Sequence, residues 1–199
     1  MIFMTKKELR DKIRQMRREV EAEDASYASE LLADLIFEIP DDNLSDLEGK
    51  TVGLYKAFDG EIDVSLLAEK VSSRGARTAF PAVAKDKIVF RQAGIDADEM
   101  FEEGAYGIKQ PKEGLAEVVP DIIIVPGVAY NEEGIRLGMG GGYYDRYYRE
   151  NPDAVYVGVC YDFQVTSDLP FDDGDMACDI LIPIDTRYDE DEDEGEDEL

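Results

Sequence analysis

The 199-residue chain contains no histidine. That absence removes Ser-His-Asp and Cys-His nucleophile systems and every histidine-ligated metal site. Any chemistry must rest on carboxylates, arginine, lysine, tyrosine, hydroxyls, backbone amides and a hard cation. Cysteine is nearly absent too: Cys160 and Cys178 are the only two. Two cysteines make neither a disulfide framework nor a zinc site, so both read as small buried apolar residues. No apolar run approaches the length needed to cross a bilayer. The N-terminus reaches Lys6 and Lys7 too soon for a secretory signal, so a cytoplasmic protein without a membrane partner is expected.

Positive charge is scarce. The chain has 21 Lys and Arg against 47 Asp and Glu, a net charge of −26. The stretch Asp189–Glu198 holds nine acids and no base. Removing it leaves 38 acids against 21 bases, still −17, so the body is acidic as well. Nucleic acid and anionic membranes are poor partners for such a surface. A high-salt cytoplasm accounts for it, because at molar salt the Debye length is only about 3 Å and self-repulsion is screened. An ordinary protein with an acidic interaction tail is the alternative, and it leaves the acidic body unexplained.

At this length a single domain with a sizeable core is expected over residues 1–185, with residues 186–199 a disordered acidic tail. Thr5-Lys6-Lys7-Glu8 is a capping box opening a helix to about Val20, with Leu9, Ile13 and Met16 on its apolar face. Lys6, Arg10 and Arg14 make a second stripe of three cations, either a solvated face or a contact for an anionic ligand. A second helix is expected over Ala25–Phe37, and Pro40–Gly49 reads as loop. Thr51–Tyr55, Arg77–Pro81, Lys87–Arg91, Asp121–Val125, Val155–Cys160 and Ile180–Pro183 read as strands, and Phe163–Leu169 is strand-like. Helices are expected from Asp63 to Gly75 and over Tyr143–Arg149. Phe101–Pro120 reads as one long loop, a length that is usually functional or mobile. Apolar strands alternating with helices predict a three-layer α/β/α fold with a largely parallel central sheet. No internal repeat is present.

Arg136-Leu137-Gly138-Met139-Gly140-Gly141-Gly142-Tyr143-Tyr144-Asp145 is the densest chemical signal. Glycines let backbone N–H groups converge on a ligand. The run lies between the strand ending at Pro126 and a helix start, where unpaired N–H groups and the dipole favour anions. Arg136 can fork onto phosphate oxygens, and Asp145 is placed to hold the cation that accompanies polyphosphate. It is neither a Walker A loop nor a dinucleotide fingerprint. The plainer alternative is a flexible surface loop. Glu61 follows the first strand, at the end where open α/β sheets place ligands, and could equally be a surface acid near a helix start. Asp172, Asp173, Asp175 and Asp179 could join Asp145 in an oxygen-ligand cation site, or simply solvate the surface. Tyr106, Tyr130, Tyr143, Tyr144 and Phe90 could stack on a flat ring or belong to the core.

These blocks, with Val125-Pro126-Gly127-Val128-Ala129-Tyr130 before the glycine run, resemble the 5-formyltetrahydrofolate cyclo-ligase family, also called methenyltetrahydrofolate synthetase. The resemblance spans about residues 5–183, in the family's order. Phe80-Pro81, Ile88-Val89-Phe90, Gly104–Pro111 and Gln164 carry further parts of it. It implies ATP-dependent closure of 5-formyltetrahydrofolate to 5,10-methenyltetrahydrofolate with release of ADP and phosphate, through a phosphorylated imine. By residue, it implies ATP contacts at Lys6, Arg10, Arg136, Leu137, Gly138, Met139, Gly140, Gly141, Gly142, Tyr143 and Tyr144. It implies folate contacts at Tyr55, Lys56, Glu61 and Gly140 through Tyr144, and catalytic roles for Arg136, Tyr143 and Tyr144. Magnesium is implied at Asp145 and Asp175, and the enzyme is expected to act as a monomer on small molecules. The chain departs from the family at Gly174, where many members have histidine, and at Met139, where an aromatic or basic residue is common. Two rival readings remain open here: a folate- or nucleotide-binding protein without turnover, and an interaction protein working through its acidic tail.

Overall fold

A computed structural model describes residues 4–186, apart from the Tyr106 side chain. The acidic stretch expected to be disordered lies outside the described residues from Arg187 onward. Helix α1 (Lys6–Arg18) starts at the expected capping box: the Thr5 side chain accepts the Glu8 N–H, and the Glu8 carboxylate accepts the Thr5 N–H at 2.8 Å. Its buried stripe is Leu9, Ile13 and Arg17, so an arginine continues the apolar face. Helix α2 (Ala22–Leu35) begins three residues earlier than expected and has no side-chain cap. Glu23 and Asp24 in its first turn favour the positive end of the dipole instead. The loop expected over Pro40–Gly49 contains a one-turn helix, α3 (Asp42–Ser45), capped by Asp41.

Strand β1 (Thr51–Gly53) is fully buried and shorter than expected, and α4 (Ser65–Ser73) follows it. Strands β2 (Arg77–Ala84) and β3 (Lys87–Gln92) form an antiparallel hairpin, turned at Lys85, which has a φ of 63°. The expected loop Phe101–Pro120 is structured. Strand β4 (Phe101–Glu103) pairs with β5 (Lys109–Pro111), and β6 (Glu117–Val118) joins the main sheet beside β3. Then come β7 (Ile122–Pro126), the short hairpin of β8 (Ala129–Tyr130) and β9 (Arg136–Leu137), helix α5 (Tyr143–Glu150), β10 (Val155–Tyr161) and β11 (Ile180–Ile184). The strand-like Phe163–Leu169 is not a strand: it opens in a single 3-10 turn, Asp162–Gln164, and only Val165 makes a bridge, to Tyr130.

The main sheet has seven strands in the order β11-β10-β7-β1-β2-β3-β6. The five from β11 to β2 are mutually parallel, and the antiparallel pairings are confined to the β3–β6 edge. Strand β7 shows why its sequence is continuously apolar: Ile122 and Ile124 pack into the cluster under α2 and α4, while Ile123 and Val125 pack with Tyr147 of α5. Helices therefore cover both faces, giving the three-layer arrangement. A third cluster seats Leu9 and Ile13 of α1 on Val128, Ala129 and Leu137. No helix among the described residues is long and apolar enough to cross a membrane. Strands β1 and β7 are neighbours whose chains leave in opposite directions, β1 through α4 to β2 and β7 through α5 to β10. Their carboxyl ends form a topological switch point, where α/β sheets open a crevice.

Candidate active site

A cleft of about 860 Å³ opens at that switch point. Its wall includes every residue expected to contact ATP, folate or metal: Lys6, Arg10, Tyr55, Lys56, Glu61, the whole run Arg136 to Asp145, and Asp175. Arg14, Phe58 and Gln110 also line it.

The glycine end is built differently from a simple strand-to-turn junction. The β8–β9 hairpin intervenes after β7, closed by Asn131, whose side-chain oxygen accepts the Glu133 and Ile135 N–H groups at 3.1 and 2.8 Å. Strand β9 thereby carries Arg136 back beneath the glycines. Its Nε donates to the Pro126 carbonyl at 2.6 Å, and its guanidinium sits 4.8 Å from the Tyr144 ring centroid. Gly138 lies directly on that guanidinium: a Cβ there would stand 2.6 Å from Nη2. Arg10 reaches across from α1 to donate from Nε to the Gly138 carbonyl at 2.7 Å. Gly140 and Gly142 have φ of 100° and 64°, and Gly142 is the N-cap of α5. Arg146 ties the loop to its surroundings, donating to the Gly141 and Asp86 carbonyls at 3.0 and 2.8 Å. Met139 stands half exposed in the cleft wall.

Lys6 donates to Asp172 at 2.7 Å and to Asp175 at 2.6 Å. Burial pulls its pKa down, but the hydrogen bonds to both carboxylates outweigh this and leave it raised. Asp145 accepts the Met176 N–H at 3.2 Å and faces Arg136 Nη1 at 4.0 Å. Among the described residues no group of three or more acids or cysteines could hold a metal alone. Asp145 and Asp175 line the same cleft, and as two oxygen donors they would suit a hard cation only if it took its remaining ligands from phosphate and water. Asp179 is not part of this end; it accepts the Tyr156 N–H at 2.8 Å.

The other end is formed by the turn after β1. Asp59 and Gly60 both have positive φ, 53° and 76°. Asp59 is clamped by Arg14 Nε at 2.5 Å and Arg18 Nε at 2.6 Å. Glu61 is turned inward. Burial raises its pKa to about 6, against the pull of Arg17, the Phe58 N–H and Arg136. Tyr144 is likewise pushed up by burial. Tyr55 borders the cleft, but its hydroxyl donates to the Ile62 carbonyl at 2.8 Å. The Lys56 ammonium donates to the Ile95 carbonyl at 2.8 Å and lies 4.4 Å from the Phe101 centroid, and burial lowers its pKa. Gln110, from β5, accepts the Val83 N–H at 3.1 Å and so fixes that wall to β2.

Several sequence candidates lie elsewhere. Phe90 and Tyr130 are core residues, with Phe90 edge-on to Tyr147 and the Tyr130 hydroxyl donating to the Val125 carbonyl. Gln164 is buried behind the cleft, where its amide donates to the Gly127 and Val128 carbonyls. The buried residue that sequence reasoning missed is Arg17, and its one signal was an arginine four residues beyond Ile13 on an apolar stripe.

Residues 3–183 match the model of the 5-formyltetrahydrofolate cyclo-ligase family. A curated relative, the 5-formyltetrahydrofolate cyclo-ligase of Haemophilus influenzae, is 32% identical over 145 residues, covering 68% of this chain and 76% of its own. The solved 5,10-methenyltetrahydrofolate synthetase of Aquifex aeolicus superposes with a TM-score of 0.75 at 34% identity, covering 90% of both chains. The corresponding structure from Mycoplasma pneumoniae, at 24% identity and a TM-score of 0.68 over 90% of this chain and 98% of its own, shares the fold. With a family match across nearly its whole described length and a cleft lined by the motif residues, the chain belongs to the 5-formyltetrahydrofolate cyclo-ligase family and is a ligase.

Proposed function

We propose that this enzyme converts 5-formyltetrahydrofolate and ATP into 5,10-methenyltetrahydrofolate, ADP and phosphate. The observation that carries the reading is one cleft with two unlike ends, a cationic glycine-lined end and a half-buried carboxylate at Glu61. The first suits a triphosphate and the second the N–H groups of a pterin. The formyl oxygen attacks the γ-phosphorus, ADP leaves, and the formyl carbon becomes a phosphorylated imine carbon. N10 then attacks that carbon and loses its proton, and phosphate departs with the formyl oxygen.

Phosphoryl transfer of this kind depends mainly on positioning and charge neutralisation. Lys6 and Arg10 would hold phosphate oxygens from the α1 side, and the N–H groups of the glycine loop from the α5 side. Arg136, fixed between the Pro126 carbonyl and the Tyr144 ring, would meet the charge that develops during transfer. Tyr143 and Tyr144 would close the cleft over the reacting atoms. Asp145 and Asp175 would hold magnesium, which when bound neutralises polyphosphate charge. The acidic surface suits a protein that works at high salt, and no partner beyond small molecules is needed.

The test is the near-ultraviolet absorbance of the methenyl product in high-potassium buffer with 5-formyltetrahydrofolate, Mg²⁺ and ATP. Product is expected only when ATP and metal are both present. Arg136→Ala and Asp145→Ala should each lose most turnover with the fold retained. No product from folded protein across a range of salt would instead favour a binding protein without turnover.

A further inference from the structure

Arg17 is 2% exposed, deep in the C-terminal half of α1, and it is not part of the cleft wall. Its Nη1 donates to the Gly127 carbonyl at 3.3 Å, while among the described residues Nε and Nη2 have no hydrogen-bond partner. Burying an incompletely bonded guanidinium is costly, and a methionine would fill similar space without that cost. The charge itself therefore has a use. Two carboxylates face it: Asp59 Oδ2 and Glu61 Oε1, each at 3.6 Å. Asp59 is already held on both oxygens by Arg14 and Arg18. Glu61 is held through Oε2 by the Phe58 N–H at 3.1 Å, and Arg17 is its cationic partner on Oε1.

We propose that Arg17 is a positioning residue for the substrate, acting through the Glu61 carboxylate and never touching the substrate itself. This rests on the folate reading of the cleft. Arg17 also fastens the Gly127 carbonyl, so the turn after β1 and the turn after β7 are referred to one side chain. The backbone makes the approach close: a Cβ on Gly60 would stand 2.8 Å from the Arg17 carbonyl oxygen. The other groups that bear on Glu61 are Arg136 from β9, Asp59 from its own turn, Tyr55 after β1 and Tyr144 from α5. Arg136 is the only other cation among them, and it is engaged at the Pro126 carbonyl. Removing Arg17 should leave a half-buried carboxyl without its cation, one that takes up a proton near neutral pH.

The test compares wild type, Arg17→Met and Arg17→Lys as full-length proteins in high-potassium buffer. Carbon-13 carboxyl NMR, with Glu61→Gln for assignment, should show the Glu61 midpoint rising by about 1–3 units in Arg17→Met. Arg17→Lys should restore most of that shift. At pH 7 the KM for the reduced folate should rise roughly tenfold in Arg17→Met, the loss of carboxylate that a shift of about two units from a midpoint of about 6 produces. The KM for ATP should stay within about twofold. An unmoved Glu61 midpoint, or an equal rise in both KM values, overturns the proposal. Wild-type protein that makes no product refutes the proposed reaction and not the role of Arg17 toward Glu61, because the NMR comparison needs no turnover. If Arg17→Met does not fold, Arg17→Met/Glu61→Gln removes both members of the pair. It should then bind folate as Glu61→Gln alone does, and a further loss overturns the proposal; Arg17→Lys supplies the NMR comparison in either case.

Discussion

Gly138→Ala adds one methyl group at the point where the cleft has no room. The backbone there does not have a positive φ, so alanine is not excluded by conformation. The obstacle is Arg136. The new Cβ would meet Nη2 at 2.6 Å and both Cζ and Nη1 at 2.9 Å. Ordinary van der Waals separation is about 3.5 Å, so the guanidinium must retreat by roughly 0.9 Å. An exposed arginine would swing away at little cost. This one is fixed by the Nε bond to the Pro126 carbonyl at 2.6 Å and lies against Tyr144, with 7% of the residue exposed. A misplacement of about 1 Å at a positioning group costs on the order of 10²-fold in rate, or about 2.7 kcal/mol. Gly138→Ala should therefore lower kcat by roughly that factor in the methenyl absorbance assay, while the thermal midpoint changes little. Gly140→Ala is the contrast. There a Cβ meets nothing nearer than Arg10 at 3.7 Å, and the penalty is backbone strain at a φ of 100°, about 1–3 kcal/mol spread over the loop. In an Arg136→Ala background, Gly138→Ala should add no further loss. Normal turnover in Gly138→Ala, or an undiminished loss in that background, would refute the claim that Arg136 is held in place by close packing.

Lys6→Ala should raise the KM for ATP by roughly tenfold or more, the worth of a charge-assisted hydrogen bond. It should change the melting temperature little: Asp172 is 80% exposed, such pairs contribute about 0–1 kcal/mol, and the less exposed Asp175 keeps the Asp172 N–H as a partner. In the proposed reaction the Glu61 carboxylate is the form that would accept pterin N–H groups, and with burial pushing its pKa up to about 6 it loses charge as pH falls. kcat/KM for the folate should drop below that pH and plateau above it, and a limb that persists in Glu61→Gln would assign the titration to another group. With a net charge of −26, the melting temperature should rise as potassium chloride goes from dilute to molar, since screening relieves self-repulsion. A flat or falling curve would remove the high-salt interpretation of the composition.

What could be read from sequence was what local chemistry determines. The Thr5–Glu8 capping box is a four-residue event, and α1 begins where it says. The unbroken apolar run at Ile122–Val125 reflects burial on both faces of a parallel strand. The glycine-loop candidates were legible as a group because they are contiguous, and the fold keeps the whole run Arg136 to Asp145 on one cleft. What escaped was set by distant partners. Strands β4 and β5 are three residues each and are held by contacts such as Gln110 to Val83, so no periodicity marked them. The two-residue strands β8 and β9 were hidden for the same reason, and with them the true approach of Arg136. The clamp on Asp59 joins residues more than 40 positions apart and leaves no local trace.

Composition nonetheless held a clue to the clamp. Seven of the chain's 21 basic residues lie in the 13 residues of α1. On a surface this acidic, an anionic ligand is repelled at long range, and at molar salt any attraction reaches only about 3 Å. Long-range steering would not bring the proposed ATP to the cleft under those conditions, so its affinity would have to come from groups in direct contact. The helix meets that demand along its length. Lys6 and Arg10 stand at the glycine end, and Arg14, Arg17 and Arg18 hold the Asp59–Glu61 turn at the other. One rigid element about 20 Å long therefore sets both ends of the site. The spacing between the glycine loop and the Glu61 carboxylate is in this way built into a helix rather than left to loops.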